Sequence, residues 1–259
     1  MSEAILEVKD LKVWYPVVKG VFARVSGYIK AVDGVSFSIA PGEKVGLVGE
    51  SGCGKSTIVR AVLGLLKPTS GTVVLKERAQ PVFQDPNASL NPRHSVMEII
   101  TGGMMVNGMC TRADRRRHAE RLLNMVGMEA SHLDRYPHEF SGGQRQRISI
   151  ARALALRPKL LVLDEAVSAL DVSVRAQILN LLDDLQKTLS LAYLFITHDI
   201  GVVAHASDRL MVMNAGKIVE EGETVSTLTN PQHPYTKYLL ASVPHLPADV
   251  YTPDGGEGL

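Results

Sequence analysis

The chain has 259 residues, of which 28 are basic and 27 acidic, so its formal net charge is +1. A chain of this length can form one domain with a full hydrophobic core and separate lobes. Its balanced charge gives no basic field of the kind that indicates a nucleic-acid partner, so we expect none. The two cysteines, Cys53 and Cys110, lack the spacing of metal ligands and the number of a disulfide framework, which favours a reducing compartment.

No segment of the sequence is typical of export or of membrane insertion. The N-terminus lacks a basic region followed by an apolar region, so we expect no signal peptide. The longest apolar stretches, such as residues 191–196, are far shorter than the ~20 residues of a membrane-spanning helix. If the protein works at a membrane, we therefore expect another chain to cross it.

The first elements predicted along the chain are β-strands. Residues 4–8 and 11–15 have the composition of two short strands, and residues 31–39 alternate apolar and polar side chains as a third strand would. Residues 16–30 mix apolar and basic side chains and predict a long hairpin excursion between these strands. A further apolar strand is expected at residues 44–48.

The next segment, residues 49–57, reads Gly-Glu-Ser-Gly-Cys-Gly-Lys-Ser-Thr and lies between that strand and a helical stretch. Glycines let the backbone turn its N–H groups inward, and the start of the helix adds partial positive charge, which predicts a cradle for a polyphosphate. A glycine-rich turn without a ligand is the alternative. We expect Lys55 to reach the terminal phosphates and Ser56 to bind Mg²⁺ through its hydroxyl. The predicted nucleotide contacts in this loop are Gly49, Glu50, Ser51, Gly52, Cys53, Gly54, Lys55, Ser56 and Thr57.

A mostly helical region is predicted at residues 91–157, after a turn at 67–71 and a strand at 72–75. Within it, Thr111 is a candidate N-cap for a helix whose apolar residues recur every three or four positions. Asp114 would then lie in the first turn of that helix.

From residue 159 onward, apolar strands alternate with helical segments. Strands are expected at residues 160–164, 192–197 and 209–214, a helix at 172–189 and a hairpin turn at 215–216. Runs rich in Val, Ile and Leu between helices indicate a parallel sheet that is covered on both faces, so the predicted fold class is α/β. The glycine-rich tail, residues 251–259, is expected to be disordered.

Polar residues follow two strands of this sheet. The strand at 160–164 ends in Asp164 and is followed by Glu165, at the edge where ligands of open α/β folds bind. Asp164 would hold the Mg²⁺ shell through water and Glu165 would polarise an attacking water, while an acidic cap on the next helix is the alternative. His198 follows the next strand and would contact the γ-phosphate, although a lone histidine is usually structural.

A second anion site is predicted at Ser141, Gly142, Gly143 and Gln144, which begin a helix. Two phosphate-binding helix ends in one chain are unusual for a simple kinase or GTPase. Those enzymes also need an acceptor site or a guanine-reading motif, and we find neither in the sequence.

Taken together, these motifs resemble those of the ATP-binding cassette (ABC) family and occur in its order. Residues 49–57 match Walker A, 160–165 Walker B, Ser141–Gln144 the signature, Gln84 the Q-loop, 168–171 the D-loop and His198 the switch histidine. The resemblance implies ATP and Mg²⁺ as cofactors. It implies catalytic roles for Lys55, Glu165 and His198, Mg²⁺ contacts for Ser56, Gln84 and Asp164, and further nucleotide contacts for Gln84, Asp171 and Tyr15. Tyr15 is implied to stack on adenine, with Trp14 as the alternative ring.

The resemblance also implies the architecture. We expect a RecA-like P-loop NTPase core with a mostly parallel sheet, a small antiparallel β lobe and an inserted α-helical subdomain. The whole chain, 1–259, would be a single ABC ATPase domain, with the β lobe and Walker A core at 1–82, the Q-loop and helical subdomain at 83–158, the Walker B and H-loop core at 159–225 and a C-terminal tail at 226–259.

Three segments, 16–37, 83–92 and 230–236, are similar to ATPase subunits of oligopeptide, dipeptide and nickel importers. For 230–236 the alternative is a helix-capping turn with a Pro–Tyr packing contact. The chain departs from the family at Ala166, where proline is usual, and we expect little loss of function there. Residues 71–81 form a shorter segment than in the family, which predicts a trimmed antiparallel lobe.

The family resemblance also implies partners. Two ATPase subunits, either two copies or two related chains, would enclose two ATP molecules head to tail, each using the signature of the other. The pair would act through separate transmembrane permease subunits and, indirectly, with an extracytoplasmic substrate-binding protein, as a peripheral complex on the cytoplasmic face of the inner membrane. Peptides and nickel are both open as cargo. A soluble ABC ATPase without transport and a non-enzymatic subunit with a decayed site are the alternatives.

Overall fold

The computed structural model describes residues 3–19 and 24–242. Their strands are β1 (Leu6–Lys19), β2 (Arg24–Ile39), β3 (Lys44–Val48), β4 (Ser70–Leu75), β5 (Ala79–Phe83), β6 (Leu160–Asp164), β7 (Ala192–Thr197), β8 (Arg209–Asn214) and β9 (Lys217–Glu223). Their helices are α1 (Lys55–Val62), α2 (Pro86–Ser89), α3 (Val96–Val106), α4 (Arg115–Met125), α5 (Gly142–Leu154), α6 (Val172–Leu189), α7 (Ile200–Ala206), α8 (Thr224–Thr229) and α9 (Pro234–Ala241), with 3₁₀ turns at Ala130–His132 and Pro137–Glu139.

A six-stranded sheet forms the centre of the fold, in the order β5-β6-β7-β3-β8-β9. All neighbouring pairs are parallel except β8 and β9. Alternate residues of β6 face opposite sides: Leu161 and Leu163 belong to one hydrophobic cluster, and Leu160 and Val162 to another. The predicted α/β fold, with a mostly parallel sheet covered on both faces, is confirmed.

A second, antiparallel sheet has the order β2-β1-β4 and forms the small β lobe. The prediction of separate strands at 4–8 and 11–15 is wrong, because β1 is continuous and contains a bulge between Val8 and Leu11. Asp10 accommodates the bulge with a φ of 45°. The predicted hairpin excursion is confirmed, since β1 and β2 pair as far as Lys19 and Arg24.

The helical region predicted at 91–157 contains α3, α4 and α5, which pack against one another. The N-cap prediction for Thr111 is wrong: α4 begins at Arg115, and Asp114 occupies the N-cap position. Thr111 lies in the preceding turn, where its N–H and hydroxyl donate to Asp114 Oδ1 at 2.6 and 2.9 Å. Thr111 therefore forms a local side-chain turn in front of the helix and does not cap it.

Strand β5 had no counterpart in the sequence prediction. It lies at the edge of the sheet, pairs with β6 and contains Pro81. Proline argues against a strand in general but is tolerated at an edge, where one side of the backbone needs no partner.

The last part of the described chain contains a hairpin and two short helices. The turn predicted at 215–216 is confirmed, with Ala215 and Gly216 at φ values of 44° and 83° between β8 and β9. The expected tail begins with α8 and α9, whereas the disorder predicted for 251–259 falls outside the described residues. Within residues 3–19 and 24–242, no helix combines the length and the apolar character that crossing a membrane requires.

Candidate functional site

Four neighbouring parallel strands, β5, β6, β7 and β3, deliver the candidate site residues to one edge of the sheet. Gln84 follows β5, Asp164 ends β6, His198 follows β7 and Gly49 follows β3. The strands also end in register, with Asp164 paired to both Phe83 and Ile196. Because parallel strands share their carboxyl edge, side chains that are far apart in the sequence lie together here.

The phosphate loop (residues 49–57) closes around a buried lysine. Lys55, the first residue of α1, is only 6% exposed. Its Nζ donates hydrogen bonds to the carbonyl oxygens of Gly49 and Glu50 at 2.7 and 2.8 Å, and lies 3.8 Å from Cys53 Sγ. None of the ion pairs in the described part of the chain involves Lys55, so its charge is available to an anion.

Two glycines allow the phosphate loop to pack directly on neighbouring backbone. A Cβ atom on Gly54 would lie 2.1 Å from the carbonyl oxygen of Ala31, and one on Gly49 would lie 2.2 Å from that of Met213. Gly54 also has a φ of 115°, which favours glycine. The loop is therefore held between the β lobe and strand β8.

The start of α1 has the features of an anion site. Gly54 is its N-cap, and no described side chain caps the helix through a hydrogen bond. The first amides of such a helix lack intrahelical partners and carry partial positive charge. Ser51, Gly52 and Ser56 are exposed around this helix end, so a polyphosphate can approach it.

A cavity of about 450 Å³ adjoins the phosphate loop. Its lining consists of Ser56, Phe83, Gln84, Asp85, Ala88, Ser89, Arg152, Asp164 and Glu165. Ser56, Gln84 and Asp164 thus contribute a hydroxyl, an amide and a carboxylate to one space, and oxygen ligands of this kind suit Mg²⁺. Among the described residues, no group of three or more His, Cys, Asp or Glu could hold a metal by itself.

The electrostatics of this cavity shift the pKa of Asp164. Burial raises the pKa of Asp164, the neighbouring charge of Glu165 raises it further, and Lys55 and Arg60 oppose the shift. A divalent cation would relieve the repulsion between the two carboxylates. The residues present therefore fit a bound Mg²⁺.

Glu165 lies at the end of β6 in a constrained backbone conformation. Its φ is 50°, its N–H donates to the carbonyl oxygen of Ile196 at 2.8 Å, and its own carbonyl oxygen accepts from Ser168 N at 3.1 Å. Its Oε1 lies 3.3 Å from Nδ1 of His198. Strained residues of this kind cluster at functional sites, and here the backbone directs a carboxylate toward an exposed histidine.

Arg175 of α6 connects the D-loop segment (residues 168–171) to the segment after β7. Arg175 in α6 donates to Oδ2 of Asp199 at 2.5 Å and to the carbonyl oxygen of Leu170 at 3.4 Å. Oδ1 of Asp199 in turn accepts from Gly201 N at 2.9 Å. Because Asp199 directly follows His198, this arrangement holds the backbone that carries the histidine.

The signature segment (residues 141–144) begins α5 with a capping box. Ser141 Oγ accepts from Gln144 N at 3.3 Å, and Gln144 Oε1 accepts from Ser141 N at 3.0 Å. Ser141 and Gly142 are exposed, and a Cβ on Gly143 would lie 2.4 Å from Val174 Cγ1. The described residues that line the 450 Å³ cavity do not include this segment.

The two candidate adenine-stacking rings differ in their surroundings. Trp14 Nε1 donates to Asp33 at 3.2 Å, and Lys30 Nζ lies 4.6 Å from the centre of the Trp14 ring. Tyr15 is 38% exposed on β1. Because Trp14 is already engaged, Tyr15 is the more available of the two. The remaining predicted contact, Asp171, is exposed at the N-cap of α6.

Sequence reasoning missed three residues at or beside the site. Arg152 donates to the carbonyl oxygen of Ser89 and lines the cavity, and burial lowers its pKa. Its spacing of four from the buried Ile148 could have placed it on the inner face of α5. The other two residues act through contacts that are distant in sequence. Arg175 pairs with Asp199, and the Tyr235 hydroxyl accepts from Glu50 N at 3.1 Å.

Comparison with known proteins identifies relatives of this chain. The family model described as ABC transporter matches residues 32–168. The chain is 50% identical to the oligopeptide transport ATP-binding protein AppF of Bacillus subtilis, over 94% of this chain and 79% of that protein. It is 45% identical to the dipeptide transport ATP-binding protein DppF of Escherichia coli, over 96% and 79% respectively. It is also 46% identical to the glutathione import ATP-binding protein GsiA of Pectobacterium atrosepticum, over 94% of this chain but 42% of that protein.

Solved structures show the same fold. CbiO1 of Clostridium perfringens, part of an ABC transporter complex, superposes with a TM-score of 0.75 at 29% identity, over 88% of this chain and 92% of that one. A dimeric ATP-binding cassette in a post-hydrolysis state, bound to ADP and Pi, superposes with a TM-score of 0.71 at 27% identity, over 85% and 98%. The predicted P-loop NTPase architecture is thereby confirmed.

Proposed function

Because this chain belongs to the ABC transporter ATPase family, we propose that it is the ATP-hydrolysing subunit of a peptide importer and forms half of a two-subunit ATPase. The observation that carries the proposal is the convergence of Gln84, Asp164, Glu165 and His198 beside the phosphate loop. Each of these groups has a distinct task in phosphoryl transfer to water.

The phosphate loop binds the nucleotide. Backbone amides at the start of α1 and the buried ammonium of Lys55 contact the phosphates, and Tyr15 stacks on the adenine. Ser56, Gln84 and Asp164 would hold Mg²⁺, which would neutralise phosphate charge when bound. Preorganised charges of this kind stabilise the transition state, since they need no rearrangement during the reaction.

Glu165 acts as the general base toward the attacking water. General-base catalysis contributes about 10² to 10⁴ in rate. His198, whose Nδ1 is 3.3 Å from Glu165 Oε1, positions this carboxylate and contacts the γ-phosphate. The ion pair between Arg175 and Asp199 fixes the backbone next to His198.

The signature segment acts on a second subunit. Ser141 and Gly142 are exposed and stand apart from the cavity beside their own phosphate loop. The free amides at this helix end therefore suit the γ-phosphate of an ATP bound to another chain. ATP closes the pair and hydrolysis reopens it, so that the γ-phosphate controls a two-state element.

The names of the relatives support the proposed cargo class. AppF, DppF and GsiA are named for oligopeptides, dipeptides and glutathione, which supports peptides over nickel as the cargo class. The transmembrane permease subunits are separate chains, with a substrate-binding protein outside the membrane. The subunit itself lies on the cytoplasmic face of the membrane. A soluble ABC ATPase without transport draws no support from these transport-related names.

Replacement Glu165→Gln tests this proposal. The variant keeps the shape of the side chain but lacks the basic carboxylate, so we expect ATP binding to persist while turnover in the presence of the permease subunits falls by about 10² or more. Glu77→Gln is the matched control, because Glu77 is an exposed glutamate outside the site. Turnover of Glu165→Gln at the parent rate would show that Glu165 is not the base.

A further inference from the structure

The segment 230–236 is similar to ATPase subunits of oligopeptide, dipeptide and nickel importers but has no task in the mechanism above; it leads into α9 and contributes its first residues. His233 is the N-cap, its Nδ1 accepts from Tyr235 N at 3.1 Å, and Pro234 is the first helical residue. The helix-capping turn considered from the sequence is therefore present. This turn uses the backbone N–H of Tyr235 and gives no role to its hydroxyl.

This turn is fixed to the central sheet. Glu220 on β9 accepts hydrogen bonds from Gln232 N at 2.7 Å and His233 N at 3.0 Å. Thr236, one residue beyond Tyr235, is 1% exposed. The position of the Tyr235 ring is thus set by contacts on both sides of it.

The Tyr235 hydroxyl reaches the phosphate loop. It accepts a hydrogen bond from Glu50 N at 3.1 Å, across 185 positions of sequence. The carbonyl oxygen of Glu50 accepts from Lys55 Nζ at 2.8 Å. The backbone of Glu50 is therefore fixed by Tyr235 at its N–H and by the lysine at its carbonyl.

We propose that Tyr235 is a positioning residue that holds the phosphate loop in its nucleotide-binding conformation, so that α9 braces the ATP site. The proposal rests on the function proposed above. A loop that is binding-competent for only part of the time binds its ligand more weakly by that fraction. Loss of the brace therefore weakens ATP binding without changing the groups that carry out hydrolysis.

The test replaces Tyr235 by phenylalanine, which removes the hydroxyl and keeps the ring. We expect the Kd and KM for ATP to rise about threefold to tenfold, the range of a single hydrogen bond, and kcat to change less than about twofold. Amide hydrogen exchange in residues 49–57 of the nucleotide-free chain should become faster, while the midpoint of thermal unfolding stays near that of the parent.

Tyr238→Phe is the matched control. Tyr238 lies on the same helix with its ring 6.5 Å from that of Tyr235, is 61% exposed, and its hydroxyl has no hydrogen-bond partner among the described residues. It should leave ATP affinity and loop exchange at parent values. Glu220→Gln, which weakens the anchor of the turn, should shift both quantities in the same direction as Tyr235→Phe, by less.

Unchanged loop exchange and unchanged ATP affinity in Tyr235→Phe would overturn the proposal, as would a fall in kcat at constant KM. The exchange measurement needs no nucleotide. If the parent chain failed to bind ATP, the proposed function would fail, and loop exchange would still decide whether Tyr235 braces the loop.

Discussion

Helices α1 and α5 both begin with glycine-rich segments, but their N-terminal ends differ in construction. The end of α1 has no side-chain cap among the described residues. It begins with the buried Lys55 and adjoins the cavity lined by Asp164 and Glu165. The end of α5 is closed by the reciprocal Ser141–Gln144 capping box and is exposed. The α1 end is enclosed by its own chain, whereas the α5 end is capped and lies on the surface.

This difference fits the two ends to two different ATP molecules, one bound to the same chain and one bound to another chain. At α1 no described side chain caps the first amides, which lie beside the ammonium of Lys55, so this end gains most from a bound phosphate. At α5 the capping box supplies two of the missing hydrogen bonds, so the helix end keeps its shape without a ligand. A preformed, exposed end suits an encounter with another molecule, which supports the proposal that the chain provides half of a site.

The largest expected effect is at α1. Lys55→Ala removes the ammonium that neutralises the phosphates, and we expect ATP affinity to fall about a hundredfold, because hydrogen bonds to charged groups contribute up to about 3 kcal/mol. Equilibrium binding of ATP to the purified chain measures this. Lys67→Ala, an exposed lysine after α1, is the control and should bind as the parent does. Equal affinity of Lys55→Ala and the parent would remove the distinction between the two helix ends.

A smaller effect is expected where the D-loop segment meets the histidine segment. Arg175→Ala breaks the pair with Asp199 and loosens the backbone beside His198. Because this acts on the histidine only indirectly, kcat should fall about threefold to tenfold, which is less than the full contribution of a charge-assisted hydrogen bond. Steady-state ATPase rates check this, with KM for ATP near the parent value. Arg121→Ala, at an exposed arginine on α4, should change neither. A rise in KM with kcat unchanged would place Arg175 in binding instead.

The smallest effect is expected at the capping box. Gln144→Ala leaves Ser141 N–H without its partner, and we expect a loss of about 0.5 kcal/mol in the free energy of unfolding. Chemical denaturation measures this. A loss above about 2 kcal/mol would mean that the α5 end depends on more than its cap, and no loss would mean that the Gln144 side chain adds nothing to the cap.

Sequence patterns predicted the central strands well, because β3, β6, β7 and β8 are apolar runs bounded by clear turn or helix signals. The patterns failed where a local signal pointed away from the strand that formed. Pro81 argued against the edge strand β5, and Asp10 interrupted the apolar pattern of β1, where the chain forms a bulge. The motifs likewise indicated which residues meet at the sheet edge. They could not indicate Arg175–Asp199 or Tyr235–Glu50, because such pairs depend on how distant elements pack and not on any spacing along the chain.

The half-site claim is tested most directly by the oligomeric state of Glu165→Gln with MgATP, measured by sedimentation or light scattering. We predict a monomer without nucleotide and a dimer with it, because ATP is bound but not hydrolysed. Adding Ser141→Arg, which places a bulky side chain on the exposed α5 end, should abolish the dimer while ATP still binds, whereas Ser131→Arg, at another exposed serine, should not. A Glu165→Gln chain that binds ATP and stays monomeric, or a dimer that Ser141→Arg does not disrupt, would contradict the proposal that each chain provides half of a site.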